Sequence, residues 1–166
     1  LVIIGAGPGG MSAAICAARA KLKVLILDQS FPGGGLVTSC QVSNYPGFPQ
    51  GIFGEELGLR FEEQLNDFDI EFKCEHVTDI LHIHSDKKVI KTELNTVIAT
   101  RAIILATGLV PKVLNQPFEK TFIGRGLSYD VRSDLDVYEG ASVAVIGGGN
   151  CACYAANYLA EVASSV

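Results

Sequence analysis

The sequence lacks the features that mark membrane-spanning, nucleic-acid-binding and disordered proteins. No apolar run reaches the roughly 18–20 residues that a membrane-spanning helix needs. No run of lysine and arginine is present and the net charge is −5, so we expect neither nucleic acid nor a membrane surface as a partner. Only 19% of the residues are charged and 48% are hydrophobic, which excludes an intrinsically disordered chain.

The sequence also lacks a disulfide framework and a metal-ligand pattern. It has five cysteines, at positions 16, 40, 74, 151 and 153, an odd number without regular spacing. LVIIGAGPGG at the start has no basic segment and no cleavage site, so we expect reduced thiols in a cytoplasmic protein. His82 and His84 stand two apart without a cysteine or acidic cluster beside them. We expect them to face outward from a strand, and we expect no metal site.

What the sequence does contain is the pattern of an α/β fold with a Rossmann-like start. Apolar runs at 1–4 and 24–27 flank a glycine-rich turn and a helix of small residues, which predicts a right-handed βαβ unit. An amphipathic helix follows at 55–68, with a small antiparallel meander over 70–100. Another buried strand is predicted at 102–106. Together these elements predict the first part of a nucleotide-binding domain.

A second strand, turn and helix begin after a linker-like stretch. The strand is predicted at 142–146 and the helix runs from Cys151 to about residue 162. We place the domains at 1–114 and 115–166. Both ends fall where a strand or its partner is expected, so we expect the sequence to be a fragment of a longer protein.

The first glycine motif, GAGPGG at 5–10, matches G-x-G-x-x-G at Gly5, Gly7 and Gly10. It follows a strand and opens a helix, whose first amides and partial positive charge suit phosphate. Asp28 ends the second strand, about 20 residues on, where a carboxylate can hold ribose hydroxyls. The motif therefore predicts a dinucleotide site.

The second glycine motif is GGGNCA at 147–152, which matches G-x-G-x-x-A. It too is predicted to lie between a strand and a helix. No ribose-binding partner follows before residue 166, so a bare glycine turn stays open here as an alternative. Two such motifs in one chain suggest one flavin and one nicotinamide nucleotide.

Eight short motifs carry a family resemblance across nearly the whole chain. In order they are GAGPGG at 5–10, VLILD at 24–28, PGGGL at 32–36, VSNYPGFP at 42–49, GEEL at 54–57, AIILATG at 102–108, GRGLS at 124–128 and VAVIGGGN at 143–150. With this order and spacing, the sequence resembles the low-molecular-weight thioredoxin reductases of the pyridine nucleotide-disulfide oxidoreductase family.

The resemblance implies an FAD domain followed by an NADPH (or NADH) domain, and it implies a homodimer. The residues implied to contact FAD are Gly5, Gly7, Gly9, Gly10, Asp28, Gly33, Gly34, Gly35, Leu36, Asn44, Val77, Thr107 and Gly108. Those implied to contact the NADPH pyrophosphate are Gly147, Gly149, Asn150 and Ala152.

The sequence departs from the family where the chemistry of disulfide reduction lies. The family's Cys-x-x-Cys-Asp segment falls, by counting from Ser128, on Asp130, Ser133 and Asp134. A carboxylate and a hydroxyl cannot exchange a disulfide. Two smaller departures are Gly35, where the family has Gln, and Tyr154, where it has Glu.

Three functions are consistent with these residues. The first is an FAD-dependent NAD(P)H oxidoreductase that passes electrons to a small-molecule or protein acceptor other than a disulfide. The second is a disulfide reductase with relocated thiols, such as Cys40 with Cys74, although an inert buried Cys40 is the simpler expectation. The third is a sensor that binds the nucleotides without catalysis. Asp134 is a candidate acid or base, although a solvated surface charge is the simpler expectation.

Overall fold

The computed structural model describes residues 1–37, 41–131 and 135–166, and the chain divides into two compact units at residues 1–109 and 110–166. The domain boundary expected between residues 114 and 115 stays a prediction. Assignment of the units to FAD and NAD(P)H stays a prediction. No helix in the described part of the chain is long and apolar enough to cross a membrane.

A four-stranded parallel sheet forms the centre of the first unit. Its strands are β1 (Val2–Ile4), β2 (Val24–Asp28), β5 (Ile70–Cys74) and β9 (Ile103–Leu105), in the order β5-β2-β1-β9. Helix α1 (Pro8–Arg19) connects β1 to β2, so the predicted βαβ unit is present. The parallel order brings the carboxyl ends of β1, β2 and β9 to one edge, which is where ligands bind in open α/β sheets.

Each face of this sheet has its own apolar core because successive strand residues point to opposite sides. Ile3 and Ile26 face α1 and α2 (Gly54–Leu65) and pack in a cluster with Met11. Val2, Ile4 and Leu27 face the other way, in a cluster with Ile90 of the meander. These strands are buried on both faces, which explains their continuous apolar runs.

Helix α2 covers one face of the sheet as its amphipathic pattern predicts. Leu57, Phe61 and Leu65 are buried at helical spacing, while Glu56 and Arg60 form an exposed ion pair of 2.6 Å. A short antiparallel pair, β3 (Gln41–Val42) with β4 (Ile52–Phe53), precedes the helix. This pair was not expected from the sequence.

The meander differs from its prediction at the N-terminal end. It contains β6 (Val77–Leu81), β7 (Lys88–Thr92) and β8 (Val97–Thr100), whereas β5 pairs in parallel with β2. The apolar residues of β5 complete the sheet edge beside β2, which outweighs local alternation. His82 and His84 were expected on a strand, but β6 ends at Leu81 and His82 adopts a left-handed turn (φ 55°).

The second unit contains three helices in its described part: α3 (Glu119–Phe122), α4 (Leu135–Tyr138) and α5 (Asn150–Leu159). The strand predicted at 142–146 is wrong, since only an isolated bridge joins Ser142 to Ser165. A strand requires a ladder partner, and the described residues supply none to Val143–Ile146 beyond one backbone bond at Val143. Ile146 is 72% exposed as a result.

Candidate functional site

The first glycine turn joins β1 to α1 so closely that two of its positions exclude any side chain. A Cβ on Gly5, whose φ is 108°, would lie 2.1 Å from the Ala106 carbonyl oxygen. A Cβ on Gly10 would lie 1.8 Å from the Gly5 carbonyl oxygen. The Gly5 amide donates to the Leu27 carbonyl (2.8 Å) and so fastens the turn to β2. These glycines are required by the fold itself.

The outer side of the same turn is open. A Cβ on Gly9 would meet nothing within 4 Å, and one on Gly7 would only touch the Gly34 Cα at 3.9 Å. Helix α1 has Pro8 in its first turn, no acidic residue there and no side-chain cap. The Gly9 and Gly10 amides have no intrahelical acceptor at this position. The open side therefore offers donors and a positive helix end, which fits a pyrophosphate.

Asp28 is attached directly to this turn. Its Oδ2 accepts the Ala6 amide at 2.6 Å, and its Oδ1 accepts the Ser30 amide at 2.9 Å and the Ser30 hydroxyl at 3.1 Å. A carboxylate has about four acceptor positions, so capacity remains for a ribose hydroxyl. The sequence predicted only a contact with ribose hydroxyls for Asp28. The bond to Ala6 shows that it also fixes the shape of the turn.

The segment at Gly33–Leu36 forms a second wall beside the turn. The Gly33 amide donates to the Ala6 carbonyl at 2.9 Å. Gly34 has φ 52°, and a Cβ there would lie 2.9 Å from the Gly7 Cα. Gly58 of α2 approaches this wall closely, since its Cβ would lie 3.7 Å from the Gly33 Cα. Gly58 was missed, although a glycine inside a helical pattern is a signal of close packing.

Val77 and Thr107 line one open cavity of about 350 Å³, together with Ile4, Leu105 and residues of β6. Three other predicted residues are exposed. Asn44 is exposed in the β3–β4 loop, and Gly35 and Gly108 are exposed. Cys40 lies outside the described residues. Binding by any of these positions stays a prediction.

The second glycine turn lies in the other unit and, like the first, leads into a helix without a side-chain cap. Gly147 has φ 140°, and a Cβ there would lie 3.2 Å from the Ala152 Cβ, which explains why a small residue stands at position 152. Gly149 is the N-terminal cap of α5 without a side-chain cap, and no acidic residue occupies the first turn. The Asn150 and Cys151 amides face no intrahelical acceptor. The turn therefore has the donors that a phosphate group needs.

The start of the acidic segment, at residues 128–131, follows a turn. The Gly124 amide donates to the Leu127 carbonyl (2.9 Å), and the Ser128 hydroxyl bonds the backbone of Asp130 at both its carbonyl (2.8 Å) and its amide (3.0 Å). Asp130 is half-buried. Ser133 and Asp134 lie outside the described residues.

A buried carboxylate that sequence reasoning missed lies behind this segment. Glu119 is 8% exposed and accepts the Tyr129 hydroxyl and the amides of Leu114 (3.1 Å) and Gln116 (3.2 Å). The bond from Tyr129 lowers the pKa of Glu119, against burial, which raises it. The same bond raises the pKa of Tyr129. No pattern in the sequence marked this pair, because the partners are ten residues apart across an irregular turn.

The cysteines of the described residues are free and exposed: Cys16, Cys74, Cys151 and Cys153. Cys151 and Cys153 lie on α5, which buries only Leu159. Residues two apart on a helix point in divergent directions, which does not suit a disulfide between Cys151 and Cys153. In the described part of the chain, no cluster of three or more potential ligands could hold a metal ion.

Comparison with known proteins gives one consistent family. The family model described as "Pyridine nucleotide-disulphide oxidoreductase" matches residues 1–166. Thioredoxin reductase from Peptoclostridium acidaminophilum is 39% identical over the whole chain, which covers 52% of that protein. Glucosaminate ammonia-lyase from Pseudomonas fluorescens is 37% identical over the whole chain and 51% of its own length.

Among solved structures, thioredoxin reductase from Lactococcus lactis superposes with a TM-score of 0.91 at 38% identity. That match covers 99% of this chain and 54% of the other. The chain thus spans about half the length of the relatives it matches.

Proposed function

The chain belongs to the pyridine nucleotide-disulphide oxidoreductase family, and from that premise we propose a thioredoxin reductase-like flavoprotein that passes electrons from NAD(P)H through FAD to an acceptor other than a disulfide. The chain spans 52% of such relatives, so this proposal concerns the whole protein of which these residues form part. We also propose a cytoplasmic protein that acts as a homodimer, by likeness to the family.

The observation that carries the FAD proposal is the open first turn with its anchored acid. Gly7 and Gly9 leave room for a ligand, and the first-turn amides of α1 have no side-chain cap. Asp28 holds the turn through Ala6 and keeps acceptor capacity for a ribose. FAD would supply the hydride chemistry when bound, while the residues named here would bind and orient it.

The acceptor proposal is supported by the chemistry of the acidic segment. Disulfide exchange needs a thiolate nucleophile and a sulfur leaving group. By the family resemblance, Asp130 and Ser133 stand at the two cysteine positions, and neither side chain contains sulfur. Electrons that reach the flavin therefore need another exit, such as a quinone, dioxygen or a redox protein.

Thioredoxin reduction is a second candidate, because most of the similar relatives carry that name. It would require relocated thiols, and Cys74 is an exposed candidate, with Cys40 as its proposed partner. The ammonia-lyase relative, at 37% identity, is named for a different reaction, so a shared fold does not fix the reaction.

A gain-of-function experiment distinguishes the two candidates. The full-length parent protein and its D130C/S133C variant are assayed for NADPH-dependent thioredoxin turnover. We expect no turnover in the parent and measurable turnover in the variant, because the variant regains the family's thiol pair. A Cys40→Ser variant is the control for relocated thiols. Turnover in the parent that is lost on Cys40→Ser would replace our proposal with the second candidate.

A further inference from the structure

The residues around Glu119 form a hydrogen-bond network that is centred on its buried carboxylate and ties two segments of the second unit together. We call the residues Leu114, Gln116, Glu119 and Tyr129 the clasp. The Glu119 carboxylate accepts the Leu114 and Gln116 amides, at 3.1 and 3.2 Å, and the Tyr129 hydroxyl. The Tyr129 oxygen also accepts the Leu114 amide at 3.2 Å. One side chain thus connects the loop at 114–116 to the start of the acidic segment.

The loop that the clasp holds is conformationally strained. Asn115 and Phe118 both adopt left-handed backbone angles, with φ of 55° and 63°. Asparagine tolerates this region, but a bulky residue such as phenylalanine avoids it unless its surroundings enforce it. The enforcing contacts are the bonds to Glu119, which directly follows Phe118. Backbone strain of this kind persists only where the surrounding structure holds the loop in one conformation.

The other end of the clasp leads directly to Asp130. After α3 the chain reverses through Gly124 and Gly126, with φ of 72° and 107°, and a bridge joins Ile123 to Leu127. That reversal returns Tyr129 to Glu119. The Ser128 hydroxyl then bonds the Asp130 amide and carbonyl. The position of Asp130 is therefore set by bonds on both sides of Tyr129.

We propose that Glu119 is a positioning residue which, through Tyr129, fixes residues 128–131 for the acceptor half of the reaction. The inference rests on the proposed function for its catalytic consequence, but the clasp itself is a property of this chain. Glu119 supplies only acceptors to three converging donors. An amide at this position would turn an NH₂ group toward at least one of them, so Glu119→Gln would open the clasp while conserving size.

The test uses the full-length protein with Glu119→Gln and Tyr129→Phe, and with Glu161→Gln and Tyr158→Phe as matched controls in the same unit. Hydrogen exchange at peptide resolution reports the clasp directly. We expect exchange at 111–131 to rise at least fivefold in the two clasp variants and to stay unchanged in the controls. Unchanged exchange in both clasp variants would overturn the proposal, whatever the protein's activity.

Stopped-flow kinetics then distinguish a positioning role of Glu119 from a loss of activity in both half-reactions. We expect the rate of flavin reduction by NADPH to stay within twofold of the parent, and reoxidation by the quinone menadione to fall about tenfold in both clasp variants. Equal slowing of both half-reactions, or no slowing, would overturn a positioning role. If NADPH fails to reduce the parent flavin, the proposed function is wrong, and the exchange result alone decides whether the clasp orders residues 128–131.

Discussion

Gly10 and Gly9 are neighbours in the first glycine turn, yet they should respond oppositely to the same substitution. In Gly10→Ala, the new Cβ would lie 1.8 Å from the Gly5 carbonyl oxygen and 3.5 Å from the Ala106 Cβ. Backbone atoms cannot yield as a flexible side chain does, so α1 must move away from β1. Overpacking of this kind costs about 1–3 kcal/mol, and we expect the upper end here.

Gly9→Ala is the matched control, because a Cβ there meets nothing within 4 Å and Gly9 lies inside α1. Replacing a helical glycine with alanine where the backbone permits it stabilises a protein by about 0.5–1 kcal/mol. The two variants should therefore differ by about 3–4 kcal/mol in the free energy of unfolding. Gly10→Ala should lower the free energy of unfolding, whereas Gly9→Ala should raise it.

Urea unfolding of the flavin-free protein, followed by circular dichroism, measures the difference. With a urea dependence of about 2 kcal/mol per molar, the unfolding midpoint of the unit that contains α1 should fall by roughly 1–1.5 M in Gly10→Ala and rise slightly in Gly9→Ala. Equal midpoints for the two variants would refute the packing argument, and with it the claim that Gly10 is required by the fold rather than by the ligand.

Three further outcomes follow from the site. Gly7→Val should abolish FAD content, measured by absorbance after purification, because the side chain would fill the gap between the turn and the Gly34 backbone; full flavin occupancy would contradict the pyrophosphate assignment. Ala152→Arg should raise the KM for NADPH at least tenfold with unchanged flavin content, since it fills the second turn; unaltered kinetics would remove that turn from the mechanism. Because the folded-state pKa of Glu119 is lowered, its stabilising effect should be complete above about pH 4.3 and be lost as the pH falls through the folded value. The unfolding midpoint of Glu119→Gln should therefore approach that of the parent as the pH falls below about 4.3, and a gap independent of pH would contradict the assignment.

The first unit follows from its sequence because its elements depend on local pattern and on contacts between neighbours in the chain. The β1–α1–β2 unit is specified by apolar runs, glycines and Asp28, all within 28 residues. The β5 strand was misassigned because its alternation also suits a meander. Only the long-range pairing of Ile70–Cys74 with β2 shows that these residues belong to the parallel sheet.

The second unit was harder to predict because its packing depends on distant residues. The strand expected at 142–146 has the right composition but lacks ladder partners in the described part of the chain. The burial of Glu119 could not be predicted, because it depends on a contact with Tyr129 that only the folded chain makes. Asp28 was recognised for its chemistry, but its bond to Ala6 required the observed geometry.

The most direct test of the central claim is an anaerobic stopped-flow experiment on the full-length flavoprotein. NADPH is mixed first to reduce the flavin, and oxidised thioredoxin is then added in excess. We predict rapid bleaching of the flavin by NADPH and no return of its colour on addition of thioredoxin, because residues 130 and 133 carry no thiols. Rapid return of the flavin absorbance with thioredoxin, at a rate that supports turnover, would contradict the account.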